Sequence, residues 1–122
     1  MSAVTRHLNA ETPCALTGSE AVAALAALGN TTRLQAFRLI VAAGSEGVNV
    51  GTLQSLLETP ASTLNHHLNT LVRAGLVRQH RQGREILNLV EAPRVAALAG
   101  FVDSLGTASD AEAEAMTVAR RN

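Results

Sequence analysis

The stretch Pro60–Val77, PASTLNHHLNTLVRAGLV, decides how the chain is read. Pro60 suits the first position of a helix, with Thr59 before it as the cap, and Gly75 closes the far end after Ala74. At about 100° per residue, Ala61, Leu64, Leu68, Leu71 and Val72 gather within about 80° of Leu64 and form an apolar stripe. Ser62, His66, Asn69 and Arg73 fall opposite, flanked by Thr63, Asn65 and Thr70. His67 lies at the edge of the stripe. The two adjacent histidines therefore have different surroundings, His66 outward and His67 at the core boundary.

Neighbours i and i+1 do not face each other on a helix, so the pair is a poor metal site. A zinc pair would be spaced i, i+4, and position 70 is Thr. Catalysis would need an oriented acid or base partner, and no Asp or Glu stands between Thr59 and Gly83. The remaining reading is a face of Ser, Thr, Asn, His and Arg without an acid. These are the side chains that meet phosphate oxygens and base edges. No metal, cofactor or catalytic residue is expected, and the chain does not read as an enzyme.

Upstream, TLQSLL reads as a short helix with Leu53, Leu56 and Leu57 on one side. A break at Glu58-Thr59 joins it to the Pro60 helix, giving a helix-turn-helix. Downstream, LVRQH and EILNLV flank RQGR and read as a β-hairpin. Further out, SEGVNVG reads as a loop. Asn30 caps TTRLQAFRLIVAAG, in which Leu34, Phe37 and Ile40 or Val41 recur at helical spacing. Ser19 is the expected cap of EAVAALAAL, a helix apolar all round and therefore covered on more than one side. Val22, Leu25 and Leu28 are its large side chains.

Pro93 opens the last helix. Its Val95, Leu98, Val102 and Leu105 form a narrow two-heptad seam. Pairing that seam with the first helix makes the two ends of the domain a dimer interface, and a homodimer is expected. The domain spans 19–106, between a flexible N-terminal tail (1–18) and a C-terminal tail (107–122). The class is mostly α with a small β-hairpin.

Composition bounds the function. The chain has 122 residues, a length for one domain. Formal net charge is +0, but Pro60–Val90 carries four Arg, three of the four His and one Glu. A local basic segment on a neutral chain is the footprint of a nucleic-acid site. No signal peptide or membrane span is read, and the cytoplasm, with the nucleoid when bound, is the expected compartment. The one Cys, Cys14, excludes an intrachain disulfide or multi-cysteine metal site.

ALGNTTRLQAFRLI, PASTLNHHLNTLVRAGLV and RQGREI together resemble the ArsR/SmtB family of winged-helix bacterial repressors, over about Glu20 to Leu105. The resemblance implies a homodimer through first and last helices, a recognition helix in the major groove and a wing on the flanking backbone. By position it makes Ser62, Thr63, Asn65, His66 and Asn69 groove residues, with Arg73 on the same face. Arg81, Gly83 and Arg84 are the wing residues. It departs from the family where metals are sensed: Asn49 and Gly51 stand where a Cys-x-Cys pair would be, and the last helix offers only Asp103. The function expected is a dimeric, sequence-specific repressor acting on an inverted-repeat operator in double-stranded DNA, independent of metal. The alternatives are a winged-helix protein-interaction module, or a thiol-based redox sensor using Cys14.

Overall fold

The computed structural model describes residues 15–107. Cys14, most of the expected N-terminal tail and residues 108–122 lie outside them. The described chain forms five helices and a three-stranded antiparallel sheet. In order these are α1 (Gly18–Leu28), α2 (Thr31–Ala43), a 3₁₀ turn (Gly44–Glu46), β1 (Val48–Asn49), α3 (Val50–Leu57), α4 (Ala61–Arg73), β2 (Val77–Gln82), β3 (Glu85–Val90) and α5 (Ala92–Gly106).

The caps explain where the helices start. Thr17, not Ser19, caps α1: its hydroxyl accepts from the Glu20 N–H, and the Glu20 carboxylate accepts from the Thr17 N–H. This reciprocal box satisfies two amides at once, which Ser19 could not do. That backbone bond, aided by Arg94 nearby, holds the Glu20 carboxyl below its ordinary range. Asn30 caps α2 through the Arg33 N–H, as expected. Asn49 caps α3 in the same way through Thr52.

Alanines bring the helices together. α1 buries Ala21, Ala24 and Ala27, and α2 contributes Ala36, Phe37 and Ile40. Leu53, Leu64, Leu68, Leu71, Leu76 and Val77 complete the core. Leu98 of α5 also belongs to it, 7% exposed. The seam expected to face a partner is thus divided: Leu98 packs inside its own chain, while Val102 and Leu105 remain outside at 45% and 62%. α3 divides similarly, with Leu53 buried and Leu56 exposed.

The sheet order is β1-β3-β2. SEGVNVG is therefore not only a loop, since its Val48 and Asn49 pair with Asn88 and Leu87. β3 is consequently the central strand, which is why its apolar alternation is imperfect. On the face shared with buried Val77, the central position is Asn88, 1% exposed. Its amide donates to the Val48 carbonyl (3.0 Å) and its oxygen accepts from Gln79 (2.8 Å), so the buried polar group is satisfied. The other face carries Leu89, which a Cβ at Gly47 would approach to 3.1 Å.

Candidate nucleic-acid interface

The helix-turn-helix is built by the turn Glu58-Thr59-Pro60. Glu58 adopts a left-handed conformation (φ 52°, ψ 46°), and its N–H returns to the Gln54 carbonyl. The Thr59 hydroxyl donates to the Leu57 carbonyl at 3.0 Å. That bond turns Thr59 back toward α3, so it does not cap α4 as expected. Pro60 occupies the cap position itself, and α4 has no side-chain cap. The first amides of α4 are left for an external acceptor, and a phosphate oxygen is the natural one.

α4 follows the wheel read from sequence, except that Ala61 of the stripe, in the open first turn, is exposed. Leu64, Leu68 and Leu71 are buried. Ser62, Thr63, Asn65, His66, Asn69 and Arg73 are all exposed. The Thr70 hydroxyl donates to the His66 carbonyl and so is occupied within the helix. The outward strip contains donors, acceptors and one fixed cation, and no carboxylate. Arg73 stands in the last turn, where the helix dipole favours positive charge.

Arg81, Gly83 and Arg84 form a second cluster. β2 and β3 register from Val77↔Val90 to Gln82↔Glu85, leaving a two-residue turn, Gly83-Arg84. Gly83 takes φ +66°, as the first position of a tight hairpin turn requires. Arg84 sits at the tip. Arg81, paired with Ile86, lies on the core-side face of the hairpin but beyond the end of the core, and is exposed. Arg78 turns to Glu91 at 3.8 Å. Among the described residues no carboxylate pairs with Arg73, Arg81 or Arg84. Their charge is available to an outside anion.

Two features were not legible in the sequence. Glu85, beside the turn at the tip of the wing, accepts from the Asn49 side chain (3.2 Å), tying the hairpin to the cap of α3. Arg33 at the start of α2 donates to the Ala27 carbonyl through Nε (2.7 Å) and approaches His67 Nδ1 through a terminal nitrogen (3.1 Å). His67 is half-buried, and burial, with Arg33 and His66 beside it, lowers its pKa from the ordinary histidine value. Only a contact across 34 positions of sequence distinguishes His67 from a plain boundary residue.

The residues expected at an interface between copies divide by exposure. Val22 and Leu25 point out of α1 at 66% and 44% exposure, and Leu28 and Val95 are partly covered. Among the described residues there is no group of three His, Cys, Asp or Glu that could hold a metal ion. Among the described residues no helix is long and apolar enough to cross a membrane.

A helix-turn-helix followed by a hairpin at the end of its second helix defines the winged helix-turn-helix class. Residues 28–80 match the helix-turn-helix domain family. The chain is 33% identical over 79 residues to an uncharacterized HTH-type transcriptional regulator of Methanocaldococcus jannaschii, covering 65% of this chain and 86% of that protein. An ArsR-like transcriptional regulator from Rhodococcus sp. RHA1 has a similar structure (TM-score 0.67, 24% identity, 80% of this chain and 90% of that one). So does a homodimeric winged helix-turn-helix DNA-binding domain of Mycobacterium bovis, a possible ArsR-family regulator (TM-score 0.58, 22% identity, 73% and 80%). The chain belongs to the HTH-type transcriptional regulators, and its winged helix-turn-helix fold is that of the ArsR family.

Proposed function

We propose that the chain is a dimeric repressor that reads an inverted-repeat operator through α4 and is not controlled by metal. The observation that carries this reading is the acid-free strip Ser62, Thr63, Asn65, His66, Asn69 and Arg73 on the outward face of the second helix of the motif. Short polar side chains at this position meet base edges, and Arg73 meets base or phosphate. Arg81, Gly83 and Arg84 are the wing contacts to the flanking backbone. A surface evolved only for a protein partner would be expected to carry acids or apolar residues there.

Dimerisation is supported by Val22, Leu25, Val102 and Leu105, large aliphatic side chains left in solvent on α1 and α5, which pack together. Apolar surface of that kind marks an interface. The homodimeric M. bovis domain with this fold supports the same assembly. Two copies related by a two-fold axis read two half-sites, hence the inverted repeat. Metal independence rests on Asn49 and Gly51 in place of a cysteine pair and on the lack of His or Cys in α5. The test is selection of duplexes from a random-sequence library with the full chain. A palindromic consensus supports the reading, and retention of unrelated sequences contradicts it.

A further inference from the structure

Arg33 is placed to act on the recognition helix from outside it. Its backbone N–H is held by the Asn30 cap, and its Nε by the Ala27 carbonyl at the end of α1. With those bonds fixed, its terminal nitrogen Nη1 lies 3.1 Å from His67 Nδ1 on α4. A guanidinium only donates. The bond therefore requires an unprotonated Nδ1, so the ring is neutral with its proton on Nε2. One side chain thus joins α1, α2 and α4, and the residue before His67 on α4 is His66 of the outward strip, whose ring centroid is 5.9 Å from that of His67.

We propose that Arg33 is a positioning residue for the recognition helix, acting through neutral His67, and that taking up a proton on His67 releases α4 from this clamp and weakens DNA binding. This inference rests on the reading of α4 as the DNA-contacting helix. Protonation converts Nδ1 from acceptor to donor. Two donors, both positive, then face each other, and the ring must turn away. The ring's surroundings add no compensating negative charge. From α2 only Arg33 bears on it, and from α4 only His66. α3 carries no titratable side chain. Glu20, the one acid of α1, lies at the far end of that helix with Thr17 and Arg94. Of β2, Arg78 is turned to Glu91, and His80 and Arg81 lie further out along the hairpin.

The clamp is intact while His67 is neutral, above the ordinary histidine pKa, and is lost as pH falls through the lowered value. One pH unit below that value only about a tenth of the rings are neutral, so apparent affinity falls about tenfold per half-site if the neutral form alone is competent. Two readouts on the full chain test this. The first is ¹⁵N NMR of the histidine rings during a pH titration, without DNA. His67 should show the Nε2-protonated tautomer, and Arg33→Met should abolish that preference and raise its pKa. A His67 ring protonated on Nδ1 at neutral pH, or one indifferent to Arg33→Met, overturns the clamp.

The second is affinity against pH for the duplex enriched by the wild-type chain from a random-sequence library. His66→Gln is present in every protein compared, so that His66 does not contribute to the profile. With His67 present, affinity one unit below the pKa found by NMR should lie about tenfold per half-site under its high-pH plateau. With His67→Gln, which keeps an acceptor but cannot titrate, the fall should disappear. With Arg33→Met, the fall should disappear and affinity should be low throughout. Parallel profiles with and without His67 overturn the proposal. If no duplex is enriched, the DNA reading itself fails, while the NMR titration still decides the clamp.

Discussion

His66 and His67 are adjacent in sequence and separated in role: their rings are tilted by 53°, one lies in the exposed strip, and the other meets Arg33 at 3.1 Å. A helix turns about 100° per residue, so neighbouring side chains enter different environments. The same imidazole is a surface hydrogen-bonder at one position and a fixed acceptor at the next.

Replacing His67 by Ala leaves the Arg33 guanidinium without that acceptor. The loss should be about 1 kcal/mol of folding stability. His67→Gln should recover most of it, because an acceptor returns. Urea unfolding at neutral pH checks both. Equal stability of the Ala variant and wild type would mean the bond contributes nothing.

The pH dependence of stability has a definite sign. The folded-state pKa of His67 lies below its unfolded value. The unfolded chain therefore binds more protons in this window, and stability rises with pH. The His67 contribution is fully present above the unfolded pKa of about 6.5 and is lost as pH falls through the lower folded value. Thermal melts of wild type and His67→Gln should diverge on acidification, with wild type losing more. A difference in melting temperature independent of pH contradicts this.

The helix-turn-helix was legible because its signals are local. The leucine spacing of α4, the glycine at its end and the Gly83 turn need no knowledge of the rest of the chain. β1 was not legible, because two residues have no periodicity and become a strand only when β3 lies alongside. Asn88 is a polar residue within the apolar run of β3, and its burial is explained by partners at Gln79 and Val48. In α5 the heptad spacing alone does not say which residues turn inward. Leu98 does so because α5 packs on α1 of the same chain.

That division dictates how the dimer is tested. Val102→Glu with Leu105→Glu places charge on exposed positions and should give monomer in sedimentation with the fold intact by circular dichroism. Substituting Leu98 would instead disturb the core. Unchanged dimer mass in the double variant would remove α5 from the interface.

Gly47 anchors the sheet in a conformation, φ 73° and ψ 176°, that is essentially confined to glycine. An added Cβ would also meet Leu89 Cγ at 3.1 Å and the Asn88 carbonyl at 3.2 Å. Gly47→Ala should cost roughly 1–3 kcal/mol. Gly83→Ala has open space around it and should cost less. Chemical denaturation of the two variants checks the order, and a larger loss at Gly83 would contradict the packing described.

Zinc, nickel, cobalt, copper(I) and arsenite at stoichiometric levels should leave DNA affinity unchanged. Fluorescence anisotropy with the selected duplex, with and without each ion, checks this. Tight binding of any one of them coupled to release of DNA would contradict metal independence.

The central claim is that α4 reads bases while the wing holds the backbone. A salt titration of wild type, His66→Ala and Arg84→Ala on the selected operator and on a random duplex tests it most directly. His66→Ala should lose roughly 1–3 kcal/mol per half-site on the operator and little on random DNA. Arg84→Ala should weaken both duplexes about equally and make the salt dependence shallower by about one unit of slope per contact. If His66→Ala leaves the operator-to-random ratio unchanged, the outward strip of α4 does not read the operator.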